Sequence, residues 1–320
     1  MKKNISYFLV GFSLATILLA SCGSKERKDG RTDTTTSGEI SFTSDESFSP
    51  LMEEFIQIYE GMNRKTKLHP IYTNEVDGIN MLINKKTYLT ITAKRLTQNQ
   101  IEYMKANGGL PECFPIAYDG MALICNNQNT DSCITVDNVK RILLGEVKNW
   151  SDINKGSRLG EIWVCFDNPK SSAVNFCTDS ILGGKPINSP NIFAANDSKD
   201  VIDYVEKTPN AIGIIGSNWL NDKRDTTNTT WKKNITVMSV SKLKEATPYN
   251  SYKPYQVYLL NGRYPFVRTI YALLNDPKRG LPWGFSHYME MPKGQLIVLK
   301  TGLLPVRGEI TIRDVVVHDD

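Results

Sequence analysis

The apolar run from Ile116 to Cys125, broken in its middle by Asp119-Gly120, constrains the fold more than any other stretch. A strand this apolar is buried on both faces, and an acid followed by glycine marks where its backbone passes close to something. Helix and turn signals follow at once. Thr135 is placed to cap a helix whose Val136, Val139, Ile142 and Leu143 share one face, and Gly145 stops it. Asn149-Trp150-Ser151-Asp152 then opens a turn with an aromatic ring to bury.

Upstream, strands and helices alternate. Glu39 to Thr43 starts a strand, and Ser49 is placed to cap a helix with Pro50 in its first turn and Leu51, Met52, Phe55, Ile58 and Tyr59 on one face. Leu68 to Tyr72 reads as a strand, Val76 to Ile83 as a helix, and Tyr88 to Thr92 as a strand. Thr97 and Gln100 form a capping box for a helix ending at Asn107-Gly108. After Asp119 the series restarts: helix 135–144, strand Ile162 to Phe166, a helix from Ser171 or Ser172, helix 198–207 and strand Ala211 to Ile215. Further strands are expected at Ile235 to Val240 and Gln256 to Leu260, and helices near 266–275, 282–290 and 293–301. Such alternation predicts a mainly parallel α/β sheet, and the restart predicts two lobes with a ligand cleft between them. The expected division is 39–117 for the first part of lobe one, 118–235 for lobe two, and 236–320 for the return and the C-terminal helices.

The chain has 320 residues and a net charge of +4, of which Lys2 and Lys3 supply two. So small a charge argues against nucleic acid as a partner. Lys2-Lys3 forms a basic start, and Tyr7 to Ala20 is an apolar segment too short for a stable spanning helix. Leu19-Ala20-Ser21-Cys22 resembles the lipobox of bacterial lipoproteins. That implies removal of 1–21, acylation of Cys22, and export to a bacterial membrane surface, with 22–38 as a polar tether. The remaining five cysteines are an odd number, and most read as small buried hydrophobes. With three scattered histidines, no metal or other cofactor is expected, and none of the usual hydrolase motifs occurs.

The run from Ile116 to Ile153 resembles the substrate-binding proteins of phosphate-type ABC importers. There, a strand ending Ala-x-Asp-Gly precedes a helix and a Gly-(x)3-Asn-Trp-(x)-Asp turn, which Asp119, Gly120, Gly145, Asn149, Trp150 and Asp152 fit. Thr208-Pro209-Asn210-Ala211-Ile212-Gly213, Tyr264-Pro265-Phe266-Val267-Arg268, and Gly294-Gln295 with Thr301-Gly302 and Pro305 are similar to later family motifs. The resemblance covers roughly residues 39–305. It implies a type II periplasmic-binding-protein fold, a monomer, and capture of a small oxyanion, phosphate above all, for an ABC importer permease. Binding would be hinge closure and not enzymatic chemistry.

Three loops fall where the family binds its ligand: Ser44-Asp45-Glu46-Ser47, the segment holding Lys94, and Ser171-Ser172-Ala173, with Asp119 as a further candidate. Backbone N–H groups and hydroxyls in such loops can hold a dehydrated oxyanion. Departures from the family are visible. Asp167 stands where the family has arginine, Ala93 replaces a serine, and Lys94 replaces an arginine. Asp45, Glu46 and Asp119 add negative charge beside an anion site. Either some of these acids only cap helices, or the ligand is not phosphate. The alternative function is a sensor or surface-interaction lipoprotein on the same fold with an altered site.

Overall fold

The computed structural model describes residues 30–221 and 232–308, so the leader expected over 1–21 and the expected acylation site Cys22 lie outside the described residues. Its strands are β1 (Gly38–Asp45), β2 (Thr66–Thr73), β3 (Leu89–Thr92), β4 (Pro111–Asn126), β5 (Cys133–Thr135), β6 (Trp163–Phe166), β7 (Ile192–Ala194), β8 (Ala211–Gly216), β9 (Ile235–Val237), β10 (Ser239–Ser241), β11 (Val267–Asn275) and β12 (Leu304–Pro305). Its α-helices are α1 (Ser49–Met62), α2 (Glu75–Ile83), α3 (Gln98–Ala106), α4 (Val136–Leu143), α5 (Ser172–Phe176), α6 (Ser198–Lys207), α7 (Gln256–Leu260), α8 (Leu281–Glu290) and α9 (Pro292–Lys300).

The main sheet runs β2-β1-β3-β11-β4-β8-β6-β7. Strand β4 belongs to both halves. Its residues Pro111 to Gly120 pair with β11, and Met121 to Cys125 pair with β8. One apolar core gathers Phe42, Phe48, Leu51, Phe55, Ile116, Ile270 and Phe285. A second gathers Leu123, Val139, Trp150, Phe166, Ile212 and Met238. This is the two-lobe α/β arrangement, with the changeover at Asp119-Gly120. The close approach anticipated at Gly120 is that of Pro254, whose Cβ would lie 2.5 Å from a Cβ placed on the glycine.

Several local signals act as chemistry dictates. Thr97 and Gln100 satisfy each other's backbone N–H groups at the start of α3, and Thr135 Oγ1 accepts the Asn138 N–H at the start of α4. Trp150 is fully buried, and its indole N–H donates to the Asn210 carbonyl at 3.0 Å. Gln295 donates to the carbonyls of Ile116 and Met289 and accepts from the N–H groups of Val306 and Arg307, which ties the chain's return to β4. All five described cysteines are free thiols. Cys125, Cys165 and Cys177 are buried, whereas Cys113 is exposed.

Three elements differ from expectation. The first is Ile235 to Val240, expected as one strand, which is split at Met238 into β9 on the main sheet and β10 paired with β5. Gln256–Leu260, expected as a strand, is the helix α7, and the expected helix at 266–275 is the strand β11. A five-residue segment such as Gln256–Leu260 cannot separate the two periodicities. In β11 the decisive pattern is alternation: Arg268, Ile270 and Ala272 are buried, while Val267, Thr269 and Tyr271 are half-buried. Because β11 is antiparallel to both β3 and β4, and β4 to β8, the middle of the sheet is mixed rather than mainly parallel. Ser49 is not a cap but the first residue of α1; a short 3-10 turn, Glu46–Phe48, precedes it and is capped by Asp45.

Candidate functional site

The site lies where the C-terminal end of β1 meets the start of α5. Asp45, the last residue of β1, turns its carboxylate into the structure, 2% exposed. Its Oδ1 accepts from the Ser47 N–H at 2.9 Å and the Ser47 hydroxyl at 2.5 Å. Its Oδ2 accepts from the Ser172 N–H at 3.0 Å, across the cleft. The Ser47 and Ser172 hydroxyls are themselves 2.9 Å apart. Thus the first and third expected ligand loops converge on one another.

Arg268, delivered by β11, fills the centre. Its Nη1 donates to Ser172 Oγ at 2.7 Å, and its Nε donates to Asp119 Oδ2 at 2.9 Å. Asp119 is completely buried and also accepts from the Ser217 N–H and hydroxyl through Oδ1. The guanidinium lies 4.6 Å from the Phe48 ring centroid, a further favourable contact. Gly216 packs against this group: a Cβ there would come within 2.6 Å of Asn218 Oδ1, 2.8 Å of Asp119 Oδ2 and 2.9 Å of Arg268 Nη2, so a larger residue would displace these side-chain ends. From the β8 side, Asn218 and Trp219 both donate to the Ser47 carbonyl.

Glu75, at the start of α2, is the acid of the second loop. Its Oε2 accepts from the Thr92 hydroxyl at 2.7 Å and the Ala93 N–H at 2.9 Å, while Oε1 accepts from Asn175 Nδ2 at 2.8 Å. A cavity of about 220 Å³ opens here, lined by Glu75, Ala93, Lys94, Ser172, Asn175, Asp179 and Arg268 among others. Burial raises the Glu75 carboxyl, opposed by its three hydrogen bonds. Asp167, 1% exposed, is likewise raised by burial first and by the charge of Asp45 second. Burial also pushes Glu46 up to about 7, although Ser198 donates to it through both N–H and hydroxyl.

The expected site residues therefore separate into groups. Asp45, Ser47 and Ser172 come together directly, and Asp119 joins them through Arg268. Ser171 caps α5, accepting the Val174 N–H at 3.3 Å, and Ala173 is buried in the core behind it. Ser44 donates to the neighbouring Asp45 carbonyl, and Glu46 turns away to Ser198 at the start of α6. Lys94 pairs with Asp179 at 2.7 Å at the cavity mouth, where both side chains are about half exposed. Such a pair contributes under about 1 kcal/mol. Arg268, Glu75, Asn175 and Ser217 also belong to the site, without a ligand-loop motif in the sequence that singles them out. The Tyr-Pro-x-x-Arg match held the signal for Arg268, since a buried arginine needs an acid partner.

The PBP superfamily domain model matches residues 29–291. The Phosphate-binding protein PstS of Borreliella burgdorferi is 24% identical over 316 residues, spanning 96% of this chain and all of its own length. The Phosphate-binding protein PstS of Bacillus subtilis is 23% identical over 335 residues, with 98% of each chain covered. A solved structure of a putative phosphate ABC transporter substrate-binding protein from Clostridium perfringens, with bound phosphate, superposes with a TM-score of 0.71. That alignment has 19% identity and covers 84% of this chain and all of the other.

Proposed function

This chain belongs to the PBP superfamily, and from that premise we propose that it captures inorganic phosphate for an ABC importer, held at a bacterial membrane surface by an acylated Cys22. The observation that carries this reading is the convergence of the Ser47 and Ser172 hydroxyls on buried Arg268, beside a cavity at the junction of the lobes. A guanidinium flanked by hydroxyls and by the backbone N–H groups of Ser47 and Ser172 is a donor set suited to an oxyanion. The names of the PstS relatives, aligned over nearly the whole chain, support phosphate as that ion. The lobe division at 117/118 and 235/236 and the ligand roles of Ser47 and Ser172 belong to the same proposal.

The test is calorimetric titration of the full chain, purified in detergent, with phosphate and with sulfate. Saturable phosphate binding supports the reading. A second reading, a sensor or surface-interaction lipoprotein, is favoured by one observation: internal carboxylates already engage the donor groups. Absence of binding by phosphate, sulfate, arsenate and molybdate at millimolar concentrations would decide for it. For the anchor, a labelled fatty acid is expected on the wild type and not on Cys22→Ala; label retained by the variant would refute acylation there.

A further inference from the structure

In each of the three expected ligand loops one backbone N–H is taken by an acid of the chain itself. Asp45 engages the N–H groups of Ser47 and Ser172, one on each side of the cleft. Glu75 engages the Ala93 N–H and the Thr92 hydroxyl, and reaches across to Asn175. Each carboxylate presents two oxygens to convergent donors, as an edge of a tetrahedral oxyanion would. Both acids are 2% exposed, so neither is a solvated surface charge that swings clear of the site without a loss of contacts. Asp119 and Asp167 add two further buried acids, and Arg268 is the buried cation in their midst. Lys94, which lines the cavity, already pairs with Asp179, and Lys170 lies 3.9 Å from Asp77.

We propose that Asp45 competes with the incoming oxyanion for the Ser47 and Ser172 donors, so that phosphate binds only by displacing an internal carboxylate. Glu75 acts in the same way at Ala93. The inference rests on the phosphate-binding reading of this site and describes how that site is regulated. Its physical basis is twofold. An oxyanion gains little from a donor that must first release a charge-assisted bond, and it meets the repulsion of the carboxylate it displaces. The internal bonds from Asp45 to Ser172 and from Glu75 to Asn175 also join the two sides of the cleft, a link that bound ligand would otherwise supply.

Asp45→Asn separates the two roles of the side chain. The amide oxygen can keep the Ser47 cap, while the amide N–H₂ cannot accept from Ser172 and instead adds a donor toward an anion. Glu75→Gln is the second variant, on α2 and outside the 3-10 turn. Phosphate affinity of the full chain is measured by calorimetry for the wild type and both variants, with circular dichroism to confirm folding. The expected result is binding about tenfold or more tighter in Asp45→Asn, and a gain in Glu75→Gln. Binding in Asp45→Asn where the wild type shows none also supports the proposal. Unchanged or weaker binding in both folded variants, with the wild type still binding phosphate, overturns the competition and leaves the phosphate reading standing. Failure of all three proteins to bind phosphate overturns both.

Discussion

Replacing Arg268 with leucine is expected to lower folding stability by about 3–5 kcal/mol, measured as the change in urea unfolding free energy. The size follows from what the substitution leaves behind. Asp119 is fully buried, and without the guanidinium only the Ser217 N–H and hydroxyl remain to hold its charge. The hydroxyls of Ser47 and Ser172 lose their donor in the same step, as does the Phe48 ring its cation. Much of the loss is the penalty of an uncompensated charge, so Asp119→Asn added to Arg268→Leu should restore part of it. A single-variant loss under about 1 kcal/mol would mean that solvent reaches the pair and that its burial carries no weight.

Stability is expected to fall as pH rises from about 5 to about 8, opposite to the common behaviour of proteins whose acids are salt-bridged. Glu46 moves from an ordinary 4.5 to about 7 on folding, and Asp167 moves in the same direction, both chiefly through burial. The sign follows from proton counting. Between about 4.5 and about 7 the unfolded chain has lost these protons while the folded chain keeps them, so each added pH unit favours unfolding. Stabilisation is fully present below the unfolded value and is lost as pH passes through the folded one. For Glu46 this amounts to at most about 3 kcal/mol, and Asp167 adds to it. Neighbouring Asp197, Asp45 and Ser198 modulate the effect without reversing it. Melting curves at the two pH values check it, and Glu46→Gln should flatten the slope. A melting temperature that climbs over this interval would count against both acids.

Much of the fold was legible because its signals are local. Thr97, Thr135 and Ser171 cap helices as their hydroxyls and positions require, and Trp150 is an anchor because nothing else in its turn can bury as much surface. The exchanged assignments at 256–260 and 267–275 arose where the signal is not local. Strand β11 owes its state to pairing with β3 and β4, residues roughly 150 or more positions away, and Tyr271 to Leu274 alone satisfy either periodicity. The site divides in the same way. Ser47, Ser172 and Asp45 lie in loops with recognisable chemistry. Arg268 is hidden because residues 266–275 fit a helical period as well as the strand that carries the side chain inward. Glu75 was hidden because an acid in a helix's first turn is also what the helix dipole favours.

The indole N–H of Trp219 donates to the Ser47 carbonyl from the far side of the cleft, with Lys232 beside the ring. The bond joins the turn at the end of β8 to the turn after β1, so any motion that parted them would strip the indole of its acceptor and change the polarity around it. Trp150, sealed in the second core, keeps its own acceptor throughout. Were the cleft to open, the seam indole among the chain's five tryptophans would change its surroundings while buried Trp150 kept its own. Replacing Trp163, Trp231 and Trp283 would leave an optical gauge with its own internal reference.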